Sequence, residues 1–268
     1  MAVMSADNRR IEGEGTPEAD WQARGKLEAM PLISHEMLVA PSQHAVIVAP
    51  HPDDETLGFA GLMLQLAAAG HALQIVAVTD GTASHAGSSH WTPEHLARQR
   101  PRESLEALSR LGCQQQTTVI RLGLPDTRVA EHESTLCDHL LTELTPAHVV
   151  LTTWRGDGHP DHEATGRACV RACGITGARL IEIPIWTWHW AAPQDSRVPW
   201  GRARRLPLDE TLLAKKRAAI QAHESQLSVD PATGKAPILP DHVLARLTRP
   251  YEVFFIDEPS APAGRAYP

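Results

Sequence analysis

The side chains able to do chemistry are concentrated in two short stretches. The first is His51-Pro52-Asp53-Asp54-Glu55, one imidazole and three carboxylates. The second is His159-Pro160-Asp161-His162-Glu163, two imidazoles and two carboxylates. Neither holds a thiolate. A nitrogen and oxygen donor set of this kind suits zinc and accepts other divalent ions. Three protein ligands plus a water-filled fourth position form the pattern of a catalytic zinc site. Water bound there has its pKa lowered toward ~7, which supplies a nucleophile at neutral pH. The chemistry expected is therefore metal-assisted hydrolysis. The competing reading is a pair of solvated acidic loops. Their matching position after buried strands argues against it.

Both stretches follow an apolar run and precede a helical one. Ala45 to Ala49 reads as a buried strand, stopped by Pro50, and Leu57 to Ala69 has helical spacing up to Gly70. His148 to Thr153 is another strand, and a helix follows His159 as far as about Cys173. Further strands are expected at Leu73–Thr79, Thr117–Leu122, Arg179–Ile185 and Tyr251–Ile256. Helices are expected from Thr92-Pro93 to Leu111, over Glu131–Leu144, from Asp209 to about Glu224, and briefly over Val243–Arg249. Strands alternating with helices give an α/β class with a mostly parallel sheet and right-handed crossovers. In such sheets ligands bind outside the carboxyl ends of the strands, where loops after different strands meet.

Composition bounds the remaining possibilities. The chain has 268 residues, 42% of them hydrophobic, and a formal net charge of −7. That is one large domain with a substantial core, and no nucleic-acid footprint. No run approaches the ~18 apolar residues of a transmembrane helix, and no signal-peptide core appears, so the expected compartment is the cytoplasm. Residues 1–30 are polar and mixed in charge and read as a disordered or loosely docked arm. Residues 31–258 form the domain, and 259–268 a flexible tail. The cysteines form no CxxC pair, and Cys169 and Cys173 read as small buried residues on one helix face. Gly58 and Gly61 lie near a helix start, but without a full GxGxxG they do not make a dinucleotide cradle. Trp186, Trp188, Trp190 and Trp200 bring four of the seven tryptophans into one stretch. They read either as a core plug or as an aromatic wall for a ring-bearing substrate.

Pro50-His-Pro-Asp-Asp-Glu55 after the first strand, with Gly158-His-Pro-Asp-His162 later, resembles the LmbE-like (PIG-L) family of zinc-dependent N-deacetylases. Weaker matches are Thr79-Asp80-Gly81, Arg100 with Glu103 ahead of Leu111-Gly112, Leu122-Gly-Leu-Pro-Asp126, and Lys216 to Gln226 with His223-Glu-Ser-Gln226. The resemblance covers roughly residues 44 to 230. It implies a Rossmann-like, mostly parallel sheet with helices on both faces. It also implies hydrolysis of the acetamide of an N-acetylglucosamine-type sugar to amine and acetate. By it, His51, Asp54 and His162 are the ligands of zinc or another divalent ion, and Asp53 is the general base. His159 assists at the carbonyl, oriented and kept charged by Asp161. Arg100, Asp126 and His223 contact substrate, and Asp80 stands behind the site. Trp188 joins the substrate contacts from the aromatic-wall reading. Glu55 and Glu163 read as helix-start charges favoured by the dipole. Two alternatives stay open: the same hydrolysis on a non-sugar amide, and a metal-stabilised binding protein without turnover. A small acetylated molecule is the expected partner, together with self-association.

Overall fold

A computed structural model describes residues 9–23 and 27–257. The helices are α1 (Glu18–Gln22), α2 (His35–Leu38), α3 (Asp54–Ala68), α4 (Pro93–Leu111), α5 (Glu133–Glu143), α6 (Pro160–Thr176), α7 (Thr187–Trp190), α8 (Glu210–Ile220), α9 (Glu224–Leu227) and α10 (Asp241–Leu247). The strands are β1 (His44–Ala49), β2 (Leu73–Thr79), β3 (Thr117–Leu124), β4 (His148–Thr153), β5 (Arg179–Ile183), β6 (Ala203–Pro207) and β7 (Tyr251–Ile256). They form one seven-stranded sheet in the order β3-β2-β1-β4-β5-β7-β6. β1 to β5 are parallel, and β7 and β6 close one edge in antiparallel fashion. The α/β class with a mostly parallel sheet is thus the one the strand and helix alternation predicts.

Alternation along the central strands feeds two cores. Ala45, Ile47, Ile75, Val149 and Leu151 point to the side covered by α3, while Val46, Val48, Val76 and Val150 pack against α5 and α6. Both faces are dry, so the parallel strands read as continuous apolar runs. α3 lies close on the sheet because of its glycines. A Cβ on Gly58 would come 1.8 Å from Ile183 Cδ1, and one on Gly61 2.2 Å from Leu208 Cδ2. Cys169 and Cys173 are free and buried in the second core, on α6.

Two features differ from the sequence reading. β6 lies where a Pro-containing loop is expected. Its Arg204 and Arg205 make it a poor strand by composition, but charged residues are what an edge strand carries. The backbone of Arg205 pairs with Pro31 O and Ile33 N at 2.9 Å each, which covers that edge. The second difference lies ahead of residue 31. Instead of a loose arm, the described residues are docked. Trp21 is 1% exposed. Its indole packs edge-on to Trp188 at 5.0 Å and to Trp200 at 5.8 Å, and Nε1 donates to Trp188 O at 3.1 Å. One indole thereby outweighs the polar composition around it. Residues 1–8, 24–26 and 258–268, including the tail, lie outside the described residues. No described helix is long and apolar enough to cross a membrane.

Trp21→Ala is expected to cost about 3–5 kcal/mol, the usual range for deleting a buried tryptophan. Chemical denaturation checks this, and an unchanged midpoint would show that the segment is not docked.

Candidate metal and catalytic site

The site lies where the sheet order reverses. β1 has β2 on one side and β4 on the other, so successive crossovers leave in opposite directions and open a crevice at the carboxyl ends of β1 and β4. The two chemistry-bearing loops follow these two adjacent strands.

The first loop is held by its own strain and by α4. Asp53 adopts φ 149° and ψ −29°, a conformation that a side-chain-bearing residue keeps only when its surroundings impose it. Glu55 Oε2 accepts from Asp53 N at 3.1 Å. Arg100, buried on α4, donates from Nη2 to Pro52 O and to Asp53 Oδ2, each at 3.0 Å, and from Nη1 to Gly81 O at 2.9 Å. Gly81 is required there, because a Cβ would come 1.8 Å from Arg100 Nη1. α3 starts at Asp54, three residues earlier than its apolar spacing shows, and Asp54 Oδ2 accepts from His51 N at 2.9 Å.

The second loop is built around Asp157, a fully buried carboxylate. Its oxygens accept from the backbone N–H of Ile185, Trp186 and Thr187 at 2.9 Å each and from Thr187 Oγ1 at 2.6 Å. The same carboxylate lies 2.8 Å from His162 Nδ1, which leaves Nε2 of that ring turned to the crevice. His159 caps α6, its Nδ1 accepting from Asp161 N at 3.2 Å. Nε2 of His159 therefore carries the proton of the neutral ring.

The loops converge on Asp54. Its Oδ2 is 3.3 Å from His51 Nδ1 and 3.3 Å from His162 Nε2. Ring nitrogens of His51, His159 and His162 lie within 4.8 Å of one another. Tetrahedral zinc with bonds of ~2.0–2.1 Å sets its donors ~3.3 Å apart. Apart from the Asp54 carboxylate, buried His162 Nε2 has no partner among the described residues, and a cation would satisfy it. His51 Nε2 faces Asp126 Oδ1 and Asp161 Oδ2, each at 3.3 Å. These two carboxylates also accept from backbone N–H groups of Ala83, Thr127 and Val129. They are arranged to orient the ring from behind, as partners of ligating histidines do. His51, Asp54 and His162 thus fit a divalent ion.

The charges agree with this. Burial works against the ionised form of Asp54, but His162 and His51 hold its carboxyl well below the ordinary range. Burial alone would lower His162, yet Asp54 and Asp157 lift it to about 9. His51 is likewise raised, by Asp126, Asp161 and Asp54 against the effect of burial. Two imidazoles that hold protons only because carboxylates surround them mark a place where a cation replaces those protons. Asp53 behaves differently: burial raises it to about 7, with Arg100 opposing and Asp54 adding. Burial, then the charges of His162 and His51, push His159 down to about 2.

The geometry also places the other expected residues. The Asp161 carboxylate turns to His51 and not to His159, whose ring is neutral. Asp126 sits behind His51 and is 9% exposed. Arg100 reaches the cavity wall, but its guanidinium is committed to Asp53, Pro52 and Gly81. Asp80 is in a partly exposed ion pair with Arg121 at 2.7 Å, away from the site. Trp188 is the core plug beside Trp21, and Trp186 lines the cavity instead. His223 is fully buried, 3.2 Å from Thr56 Oγ1, and held down to about 3 by burial and the Arg100 charge. Gln226, three residues on, lines the cavity in its place. Glu55 is at the helix start as expected, and there it also holds Asp53 N. Asp157 was not singled out in the sequence. Its only signal is an acidic residue among glycines after β4. The cavity is about 80 Å³, walled by Leu57, Ile185, Trp186, Gln226, Ile238 and Leu239 beside the ligand set.

Comparison with known proteins agrees with the fold and the loops. Residues 46–173 match the family described as PIG-L, GlcNAc-PI de-N-acetylase. The stretch contains both loops and the strands that carry them. It is 29% identical over 200 residues to the probable N-acetyl-α-D-glucosaminyl L-malate deacetylase 2 of Bacillus anthracis, covering 69% of this chain and 82% of that protein. It is 28% identical over 141 residues to the protein of the same description from Bacillus subtilis (strain 168), covering 48% of this chain and 60% of that relative. A conserved protein of Thermus thermophilus has a similar structure, with TM-score 0.55 and 25% identity over 84% of this chain and 100% of its own.

Asp157→Asn removes the charge behind His162 and puts an NH2 donor where one carboxylate oxygen accepts, so the variant is compared with the wild type for its melting midpoint as well. Metal affinity is expected to fall ~10–100-fold with folding retained, as read by competition titration with a chromogenic chelator. Unaltered affinity would remove Asp157 from the site.

Proposed function

We propose that the chain is a divalent-metal-dependent N-deacetylase, with zinc as the ion its donor set favours. Its substrate is the acetamide of an N-acetylglucosamine-type sugar or conjugate, and its products are the amine and acetate. The observation that carries this reading is Asp54 Oδ2 at 3.3 Å from both His51 and His162, with Asp53 next in sequence yet turned away to Arg100. A closed structural site would have no use for that second carboxylate. The match of residues 46–173 to a family of de-N-acetylases supports hydrolysis of an amide C–N bond. The relatives named for N-acetylglucosaminyl L-malate support the sugar.

His51, Asp54 and His162 would hold the ion. When bound, it lowers the pKa of water and polarises the acyl carbonyl. The chain's own residues do the rest. Asp53 takes the proton from the attacking water. Its burial places it near neutral pH, the range in which a general base works best. Arg100 fixes one carboxylate oxygen and leaves the other for the water. His159 donates from Nε2, as a neutral ring, to the oxygen that gains charge as the carbonyl carbon becomes tetrahedral. Asp53 then returns the proton to the departing nitrogen. Asp126 and Asp161 keep the His51 ring in place, and Asp157 does so for His162.

Acetate release should be measured across N-acetyl amino sugars, their conjugates and N-acyl amines, with and without a chelator. Turnover of a sugar acetamide that chelation abolishes and zinc restores is the expected result. Turnover confined to non-sugar amides would overturn the substrate class, and metal binding without any turnover would overturn the enzyme. Asp53→Asn is expected to lower kcat by ~10²–10⁴-fold with metal content unchanged. A near-normal rate would sink the assignment of Asp53 as base.

A further inference from the structure

A second cleft lies beside α8, α10 and β7 and shares only Leu57 with the metal site. Its volume is about 20 Å³, room for one particle of water size. Three cationic side chains line it. Lys216, Arg246 and Arg249 are 1%, 3% and 4% exposed. Two of them have carboxylate partners. Lys216 Nζ donates to Glu252 Oε1 at 2.7 Å, and Glu252 also accepts from Gly61 N and Leu62 N. Arg249 donates from Nε and Nη2 to Glu18 at 2.8 and 2.6 Å and covers the Trp188 ring at 4.2 Å.

Arg246 has none. Nη1 lies 3.0 Å from His189 Nδ1, on a ring that burial keeps neutral, and Nη2 donates to the carbonyl of Glu14. Among the described residues, Nε is buried without a hydrogen-bond partner, and so is Oη of Tyr251, which also lines the cleft. A guanidinium does not deprotonate in proteins. Among the described residues, three cations here face two carboxylates, Glu252 and Glu18. Water would satisfy the orphan donors but leave one buried positive charge in excess, which is costly.

We propose that this cleft, lined by Arg246 and Tyr251, binds one small inorganic anion of halide size. The bound ion completes the charge balance of the α3, α10 and β7 junction and stabilises the fold. Its ligand class is set by size and charge: a monovalent anion without bulky substituents.

The test compares the melting midpoint of the full chain in sodium bromide and in sodium gluconate at equal ionic strength. Crystals grown in bromide are examined in parallel for anomalous scattering. The expected result is a saturable rise of roughly 2–6 °C in bromide over gluconate, and one anomalous peak in the cleft beside Arg246. Arg246→Gln should abolish the bromide-dependent shift. Tyr251→Phe keeps the charge, should reduce the shift, and serves where Arg246→Gln does not fold. Equal midpoints in the two salts with no peak in the cleft overturn the proposal. So does a shift of wild-type size in both variants, because it places the halide elsewhere.

Discussion

The constraint on which the structure turns is the burial of five carboxylates at one edge of the sheet. Asp53, Asp54, Asp126, Asp157 and Asp161 are all less than a tenth exposed. Isolated, such groups would neutralise or unfold the loops that carry them. Here each is given a definite partner. Asp157 takes four N–H and O–H donors and one imidazole. Asp126 and Asp161 share the far side of His51. Asp53 has Arg100. Asp54 has the two imidazoles, and in the reading proposed here the cation between them. Charge balance and catalysis therefore make the same demand on the loops.

That demand explains the geometry around the site. Asp53 accepts a strained backbone because Glu55 and Arg100 hold it from two directions. Gly81 has no side chain because Arg100 needs its space. The Trp186–Trp190 stretch turns where it does because Asp157 binds three consecutive N–H groups. One carboxylate thereby sets both the orientation of His162 and the course of the aromatic wall. Docking of Trp21 against Trp188 extends the same construction outward.

Much of this was legible in the sequence. Apolar runs ending in His and Asp marked β1 and β4, and the two loops offered imidazole and carboxylate donors, from which the family resemblance picked out His51, Asp54 and His162. The roles behind them were not legible. Asp126 and Asp161 lie in different elements, and nothing local shows that both turn to His51. Arg100 is equally suited to a substrate or to a carboxylate of the chain until its 3.0 Å approach to Asp53 is seen. Trp186 and Trp188 differ by two positions, and only the course of the chain after β5 sends one to the cavity and the other to the core. β6 was missed because two arginines in a short segment do not alternate with apolar residues, yet the hydrogen bonds of an edge strand are indifferent to that.

By itself, the sequence determined the α/β class, the two loops and the donor types, since these follow from local periodicity and side-chain chemistry. The tertiary structure decided which carboxylate faces which imidazole. It also decided that Arg100 serves Asp53, that His159 is neutral, and that the segment before Pro31 is docked. The reason is physical. Ligand type is a property of a residue. Orientation, burial and charge compensation belong to groups brought together from distant parts of the chain.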